Sequence, residues 1–211
     1  LDKYYQKYKI TVLINMTKKI PDNLDDPIDV LMYRLCDKLA PSFKKSGHTP
    51  NIITTYSLIT GLLSCYAIYH NNIVLFIPLF IISYFFDCFD GFFARKYKMT
   101  SKFGDYYDHI KDASVYIVLI LVMFYKYSSN ISIVNIIIMV ILLLLLSSHM
   151  GCQQRYYKNE NKDADEETLD FYQKMCRNKD DIKYTRFFGP GMLTVFTTLM
   201  VTFIWLKNNL K

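Results

Sequence analysis

The sequence predicts an all-α fold: an integral membrane helical bundle of five transmembrane helices, preceded by an interfacial amphipathic helix. Three observations carry this. Hydrophobic residues fill 52% of the 211 positions and are gathered into long runs instead of recurring at the period of a soluble core. Five such runs, 52–69, 73–93, 106–125, 131–150 and 187–206, each come close to the roughly 20 residues that take a helix across hydrocarbon. Basic residues collect in alternate connections, as they do in membrane topology. Without a barrel-like alternation, only helices satisfy the backbone inside a bilayer.

In chain order, residues 24–43 place Ile28, Leu31, Leu35 and Leu39 three and four apart, with Asp29, Asp37 and Lys38 elsewhere on the helix. That pattern predicts a helix lying in the interface plane. Residues 70–72, between the first two spans, hold no Lys or Arg, and 126–130 hold only Lys126. Residues 94–104 hold Arg95, Lys96, Lys98 and Lys102, so this side is expected to be cytoplasmic. Arg34, Lys38, Lys44 and Lys45 fall on the same side, as does the polar stretch 151–185. Within that stretch, 158–183 reads as a solvated loop with one surface helix at 166–176. Gly189, Pro190 and Gly191 open the fifth span and mark a kink or a close helix contact. The implied organisation is an N-terminal cytoplasmic and interfacial segment, 1–48, a membrane domain, 49–206, and a tail, 207–211.

Composition excludes some classes. The net charge of +6 is spread between apolar runs, so no basic stripe for nucleic acid forms. The cysteines, Cys36, Cys65, Cys88, Cys152 and Cys176, include no C-x-x-C pair, and neither a disulfide framework nor a zinc site is expected.

Four aspartates stand out because a carboxylate in a span is costly and ordinarily faces a polar cavity. Asp87 and Asp90 are three residues apart at the end of the second span, and Asp108 and Asp112 are four apart at the start of the third. Each pair shares a helix face, and the short connection lets the two faces meet antiparallel. Such carboxylates raise one another's pKa unless a cation compensates them, and oxygen-only ligands suit Mg²⁺, Mn²⁺ or Ca²⁺. A set this acidic has room for two ions, the arrangement that clamps both oxygens in phosphoryl transfer. Gly91, Ala94 and Gly104 leave space for a ligand or a helix. Competing with this is tight packing with ion pairs from the aspartates to Arg95, Lys102 and Lys111. A cation transporter or channel would also place acids in spans, but would not need Gly, Ala and Arg at fixed offsets.

Written out, D87-x2-D90-G91-x2-A94-R95-x8-G104-x3-D108-x3-D112 matches the signature of the CDP-alcohol phosphatidyltransferase family, eight residues fixed over 26 positions. Thr49, Pro50 and Asn51 also resemble the way that family opens its first span. The resemblance implies an integral membrane enzyme of phospholipid biosynthesis that displaces CMP from a CDP-alcohol with a second alcohol, using Mg²⁺ or Mn²⁺, two ions in all. It implies that Asp87, Asp90 and Asp108 hold the metals and that Asp112 is the base and touches one ion. Asn51, Gly91, Ala94, Arg95 and Gly104 would receive the nucleotide. The implied partners are a CDP-alcohol donor, an alcohol acceptor, membrane lipid and a second copy in a homodimer.

The chain's length is similar to that of the small members, which use CDP-diacylglycerol and a polar acceptor. Ser147-Ser148-His149 and Tyr184-Thr185-Arg186 resemble short stretches of eukaryotic phosphatidylinositol synthases, which points to inositol. His149, Arg155 and Arg186 are the candidate acceptor-binding residues. His109, directly after Asp108, is similar instead to choline and ethanolamine phosphotransferases, which transfer from CDP-choline or CDP-ethanolamine to diacylglycerol; there it would assist Asp112 in catalysis. Small members have six spanning helices, so a sixth is either missing or supplied by deeper insertion of the N-terminal segment.

Overall fold

The structure, a computed structural model, describes residues 20–157, 170–176, 178 and 181–210, and among these all regular structure is helical. The helices are α1 Pro27–Lys45, α2 Pro50–Tyr69, α3 Ile73–Lys96, α4 Lys102–Tyr127, α5 Ile133–Tyr157, α6 Asp170–Met175, α7 Ile182–Thr185 and α8 Pro190–Asn209. Among the described residues, four stretches are long and apolar enough to cross a membrane: α2, α3, α5, and the run Ile182–Asn209 that ends in α8. The remaining predicted span, 106–125, lies on α4, whose first turns carry Lys102, Asp105, Asp108, Lys111 and Asp112 and dilute its apolar character.

Two compact units divide the chain, one from the residues up to Leu31 with Ile141–Leu193, the other from Met32–Val140 with Thr194–Lys211; α1, α5 and α8 contribute residues to both. In the second unit α2 is the central helix, pairing closely with both α3 and α4. Its packing face is made of small and hydroxylated residues, with Thr54, Ser57, Gly61, Ser64 and Cys65 all buried. Ser57 and Ser83 each donate a hydroxyl hydrogen bond to the other's carbonyl, both at 2.8 Å. A Cβ on Gly61 would come within 2.8 Å of Val115 Cγ2 and 2.9 Å of Ser83 Oγ. Where lipid is as apolar as leucine, close approach and interhelical hydrogen bonds hold helices together, and this face supplies both.

The C-terminal half of α1 belongs to this unit. Cys36 and Ala40 are fully buried with Phe89, Phe92 and Phe93 of α3, and Lys96 Nζ pairs with Asp37 Oδ1 at 2.6 Å. Burial pushes the Cys36 thiol up to about 12. The predicted apolar stripe turns the other way, with Leu31, Leu35 and Leu39 exposed. The helix also begins at Pro27, three residues later than its hydrophobic pattern suggests, because Pro favours the first helical position and the preceding Asp26 caps it.

In the first unit the same Asp26 carboxylate accepts from the backbone N–H groups of Ile28, at 2.7 Å, and Met192, at 2.8 Å. One fully buried side chain thereby satisfies orphan donors at the starts of α1 and α8. Burial raises its pKa, opposed by the bonds from Met192 and Ile28. A Cβ on Gly189 would lie 2.6 Å from Asp26 Oδ2, and one on Gly191 2.6 Å from Asp29 Oδ1, so these glycines serve a close contact.

Two of the cysteines, against expectation, are paired. Cys152 of α5 and Cys176, just after α6, form a disulfide with Cα atoms 5.4 Å apart. The pairing depends on α6 folding back against Gly151, where a Cβ would meet Tyr172 Cβ at 2.7 Å; a separation of 24 residues carries no local spacing signal. Within the predicted surface helix at 166–176 the structure places α6, Asp170–Met175, while 158–169 lie outside the described residues.

Candidate active site

The connection between α3 and α4 is only residues 97–101, and Lys98 turns it with a φ of 54°. Ser101 then caps α4, its hydroxyl accepting the N–H of Gly104 at 3.0 Å. This tight return brings the last turns of α3 beside the first turns of α4, where the motif aspartates lie. Asp87, Asp108 and Asp112 each offer a carboxylate oxygen within 4.8 Å of the others. Asp87 and Asp108 are half-buried, and the Asp112 side chain is 51% exposed.

Lys111 lies among these three. Its side chain is 2% exposed, and its ammonium bonds Asp87 Oδ1, donates to Asp112 Oδ1 at 2.6 Å and lies 3.1 Å from Asp108 Oδ1. Of the three cations offered by the ion-pair alternative, this one converges on the cluster. Asp108 Oδ1 is buried and, despite the nearby ammonium, has no hydrogen-bond partner among the described residues. An oxygen-only donor set with one buried oxygen that is not hydrogen-bonded fits a hard divalent cation.

Asp90 is held differently. It is 5% exposed and its Oδ2 accepts the Thr54 hydroxyl of α2 at 2.6 Å. That hydroxyl also lies 3.1 Å from the Pro50 carbonyl, so its single proton is shared between two acceptors. Thr55, next along, bonds the Tyr107 hydroxyl of α4 at 3.0 Å. Neither threonine was among the residues singled out from the motif. The signal was present, since Thr54 begins the small-residue series Thr54, Ser57, Gly61, Ser64 on one face of the first span.

The candidate nucleotide residues gather in the same unit. A Cβ on Gly104 would stand 3.1 Å from Asn51 Oδ1, which places Asn51 of α2 directly against the start of α4. One on Gly91 would meet Arg95 Nη1 at 3.1 Å, so the Arg95 guanidinium lies over Gly91. Ala94 is half-buried in the last turns of α3, its carbonyl accepting the N–H of Met99 at 2.8 Å. His109 is exposed on α4, with Nδ1 2.9 Å from the Asp105 carbonyl one turn back.

The candidate acceptor residues belong to the other unit. His149 is fully buried, with Nδ1 3.0 Å from Thr185 Oγ1 and Nε2 2.7 Å from Gln153 Nε2. The structure thus joins the two short stretches that resembled phosphatidylinositol synthase. Arg155 Nη1 donates to the carbonyls of Gln173 and Cys176, at 2.9 and 2.6 Å, and so closes the end of α6. Arg186 Nη1 donates to the Asn23 carbonyl at 2.6 Å, while its buried Nε has no hydrogen-bond partner among the described residues.

The sequence pattern of the CDP-alcohol phosphatidyltransferase family matches residues 47–168, more than half of the chain and all four motif aspartates. Neither a curated protein nor a solved structure matches the chain.

Proposed function

Because the chain belongs to the CDP-alcohol phosphatidyltransferase family of membrane transferases, we propose that it moves the phosphatidyl group of CDP-diacylglycerol to a small polar acceptor such as inositol, releasing CMP. The observation that carries this is the convergence of Asp87, Asp108 and Asp112 to within 4.8 Å at the junction of α3 and α4. Asp87, Asp90 and Asp108, with Asp112 touching one ion, would hold two Mg²⁺ or Mn²⁺. When bound, these ions would neutralise charge on the diphosphate and on the departing CMP.

The chain's own residues do the rest. Asn51, Gly91, Ala94, Arg95 and Gly104 receive the cytidine nucleotide. The acceptor hydroxyl oxygen bonds the phosphorus that carries the diacylglycerol, the P–O bond to the CMP phosphate breaks, and the hydroxyl proton passes to Asp112. Asp112 suits that duty as the most exposed member of the trio, open to an arriving hydroxyl. Thr54 keeps Asp90 oriented. The domain spans residues 49–206, works as a homodimer and faces the cytoplasm, where polar acceptors are dissolved. His149, Arg155 and Arg186 are the residues proposed to contribute to acceptor choice.

One observation favours a second route, from CDP-choline or CDP-ethanolamine to diacylglycerol: His109 is exposed on α4 directly after Asp108. The test of the base is Asp112→Asn. Turnover should fall by roughly 10²- to 10⁴-fold, the range for losing a general base, while CDP-alcohol binding stays within about threefold. Normal turnover in that variant would remove Asp112 from the role.

A further inference from the structure

Lys111 faces the same carboxylates that a divalent ion would use, bonding two of them and pairing with the third. Its ammonium contacts Asp87 Oδ1, Asp112 Oδ1 and Asp108 Oδ1, and these three residues are the ones whose carboxylate oxygens converge. The side chain is 2% exposed, so the contact is not a surface pairing that solvent exchanges freely. We propose that Lys111 is a built-in competitor of the metal: its ammonium neutralises the acidic trio, and divalent ions bind by taking carboxylate oxygens from it. This rests on the metal reading of the aspartates given above.

The physical basis is charge and donor count. Three carboxylates this close repel one another, and a single buried ammonium offsets that repulsion without filling their coordination capacity. A lone ammonium supplies three N–H donors and one positive charge, whereas a divalent ion supplies two charges to the same oxygens. Exchange between them leaves the cluster compensated at each stage. It follows that ion affinity is set below what the carboxylates alone would give. The released ammonium, on its flexible four-carbon stem, is then free to meet another anion, and the phosphates of a bound CDP-alcohol are of the right chemistry.

The experiment is Mn²⁺ binding to the purified protein in lipid nanodiscs without nucleotide, followed by the spin-resonance signal of free Mn²⁺. Wild type is compared with Lys111→Met, Lys111→Arg and Asp87→Asn. Lys111→Met should bind Mn²⁺ about tenfold or more tightly, since one nearby opposite charge commonly shifts a carboxylate by at least one pKa unit. Lys111→Arg should not tighten, and Asp87→Asn should weaken. Unchanged or weaker binding by Lys111→Met, with Asp87→Asn still weakened, overturns the competition and leaves the metal site standing. No Mn²⁺ binding by any of the four proteins overturns the metal reading and the competition together.

Lys111→Met leaves the carboxylates uncompensated and can fail to fold, so a second measurement uses wild type alone. Acetylation of Lys111 by a small anhydride, read by mass spectrometry, should speed up when Mn²⁺ is added. An unchanged or slower rate overturns the proposal.

Discussion

Thr54 of α2 donates its hydroxyl to Oδ2 of Asp90 on α3 at 2.6 Å, in a buried position one helical turn along α3 from Asp87. The bond fixes the rotamer of a carboxylate that the acidic trio does not include, and links the central helix to the junction where the trio forms. Thr54→Val keeps the shape and removes the donor. If Asp90 holds an ion as proposed, loss of its partner typically costs 10- to 100-fold in metal affinity or activity, so the Mg²⁺ activation constant should rise by about that factor. Thr54→Ser should recover most of it. An unaltered Mg²⁺ dependence in Thr54→Val would show that Asp90 needs no such support.

Gly61 gives a purely steric prediction. A Cβ there meets Val115 and Ser83 at under 3 Å, so Gly61→Val should destabilise the α2, α3 and α4 packing by about 1–3 kcal/mol, the usual range for overpacking. Thermal unfolding in detergent reads the effect. A variant as stable as wild type would mean that α2 does not approach its neighbours this closely.

The disulfide sets a thiol count. Unfolded in denaturant without reductant, the chain should present three thiols, Cys36, Cys65 and Cys88, and five after reduction. While folded, none should alkylate readily at pH 8, because all three are buried and the Cys36 thiol sits at about 12. Five thiols before reduction would contradict the pairing of Cys152 with Cys176. The pairing is informative because this end of the chain is proposed to face the cytoplasm, where disulfides are rare.

Asp26 links stability to pH. Its carboxyl titrates above the ordinary value of 3.8 in the folded chain, so the folded state binds a proton more readily than the unfolded one. Its contribution is fully present below the ordinary value and is lost as pH rises through the elevated one. Asp26→Ala should remove this slope and also uncap Ile28 and Met192, at about 1 kcal/mol for each helix start. A pH–stability curve of the variant parallel to that of wild type would show that Asp26 titrates normally.

The motif was legible because helical geometry converts its spacing into position. Offsets of three and four put each aspartate pair on one face, and a five-residue connection leaves those faces nowhere else to go. The apolar runs likewise announced their helices. The packing partner of α3 and α4 was hidden, because the Ser, Gly and Thr residues of α2 look like ordinary members of an apolar run until the neighbours that touch them are known. On α1 the apolar stripe is plain in the sequence, and its Leu31, Leu35 and Leu39 are exposed, while Cys36 and Ala40, less hydrophobic and easily overlooked, make the contact with α3. Lys111 was visible only as one of several possible ion-pair partners. Its central place depends on the length of a lysine stem and on the rotation of α4, neither of which a linear motif encodes.

Transfer from a CDP-alcohol to a second alcohol must release CMP, and that release can be measured. Purified protein in lipid is given CDP-diacylglycerol with inositol, glycerol phosphate or serine, and in parallel CDP-choline or CDP-ethanolamine with diacylglycerol. The expected result is CMP release that requires Mg²⁺ or Mn²⁺, is greatest with CDP-diacylglycerol and inositol, and vanishes in Asp87→Asn. CMP release that persists in Asp87→Asn, or folded protein that releases none with any pair in the presence of both metals, would contradict it.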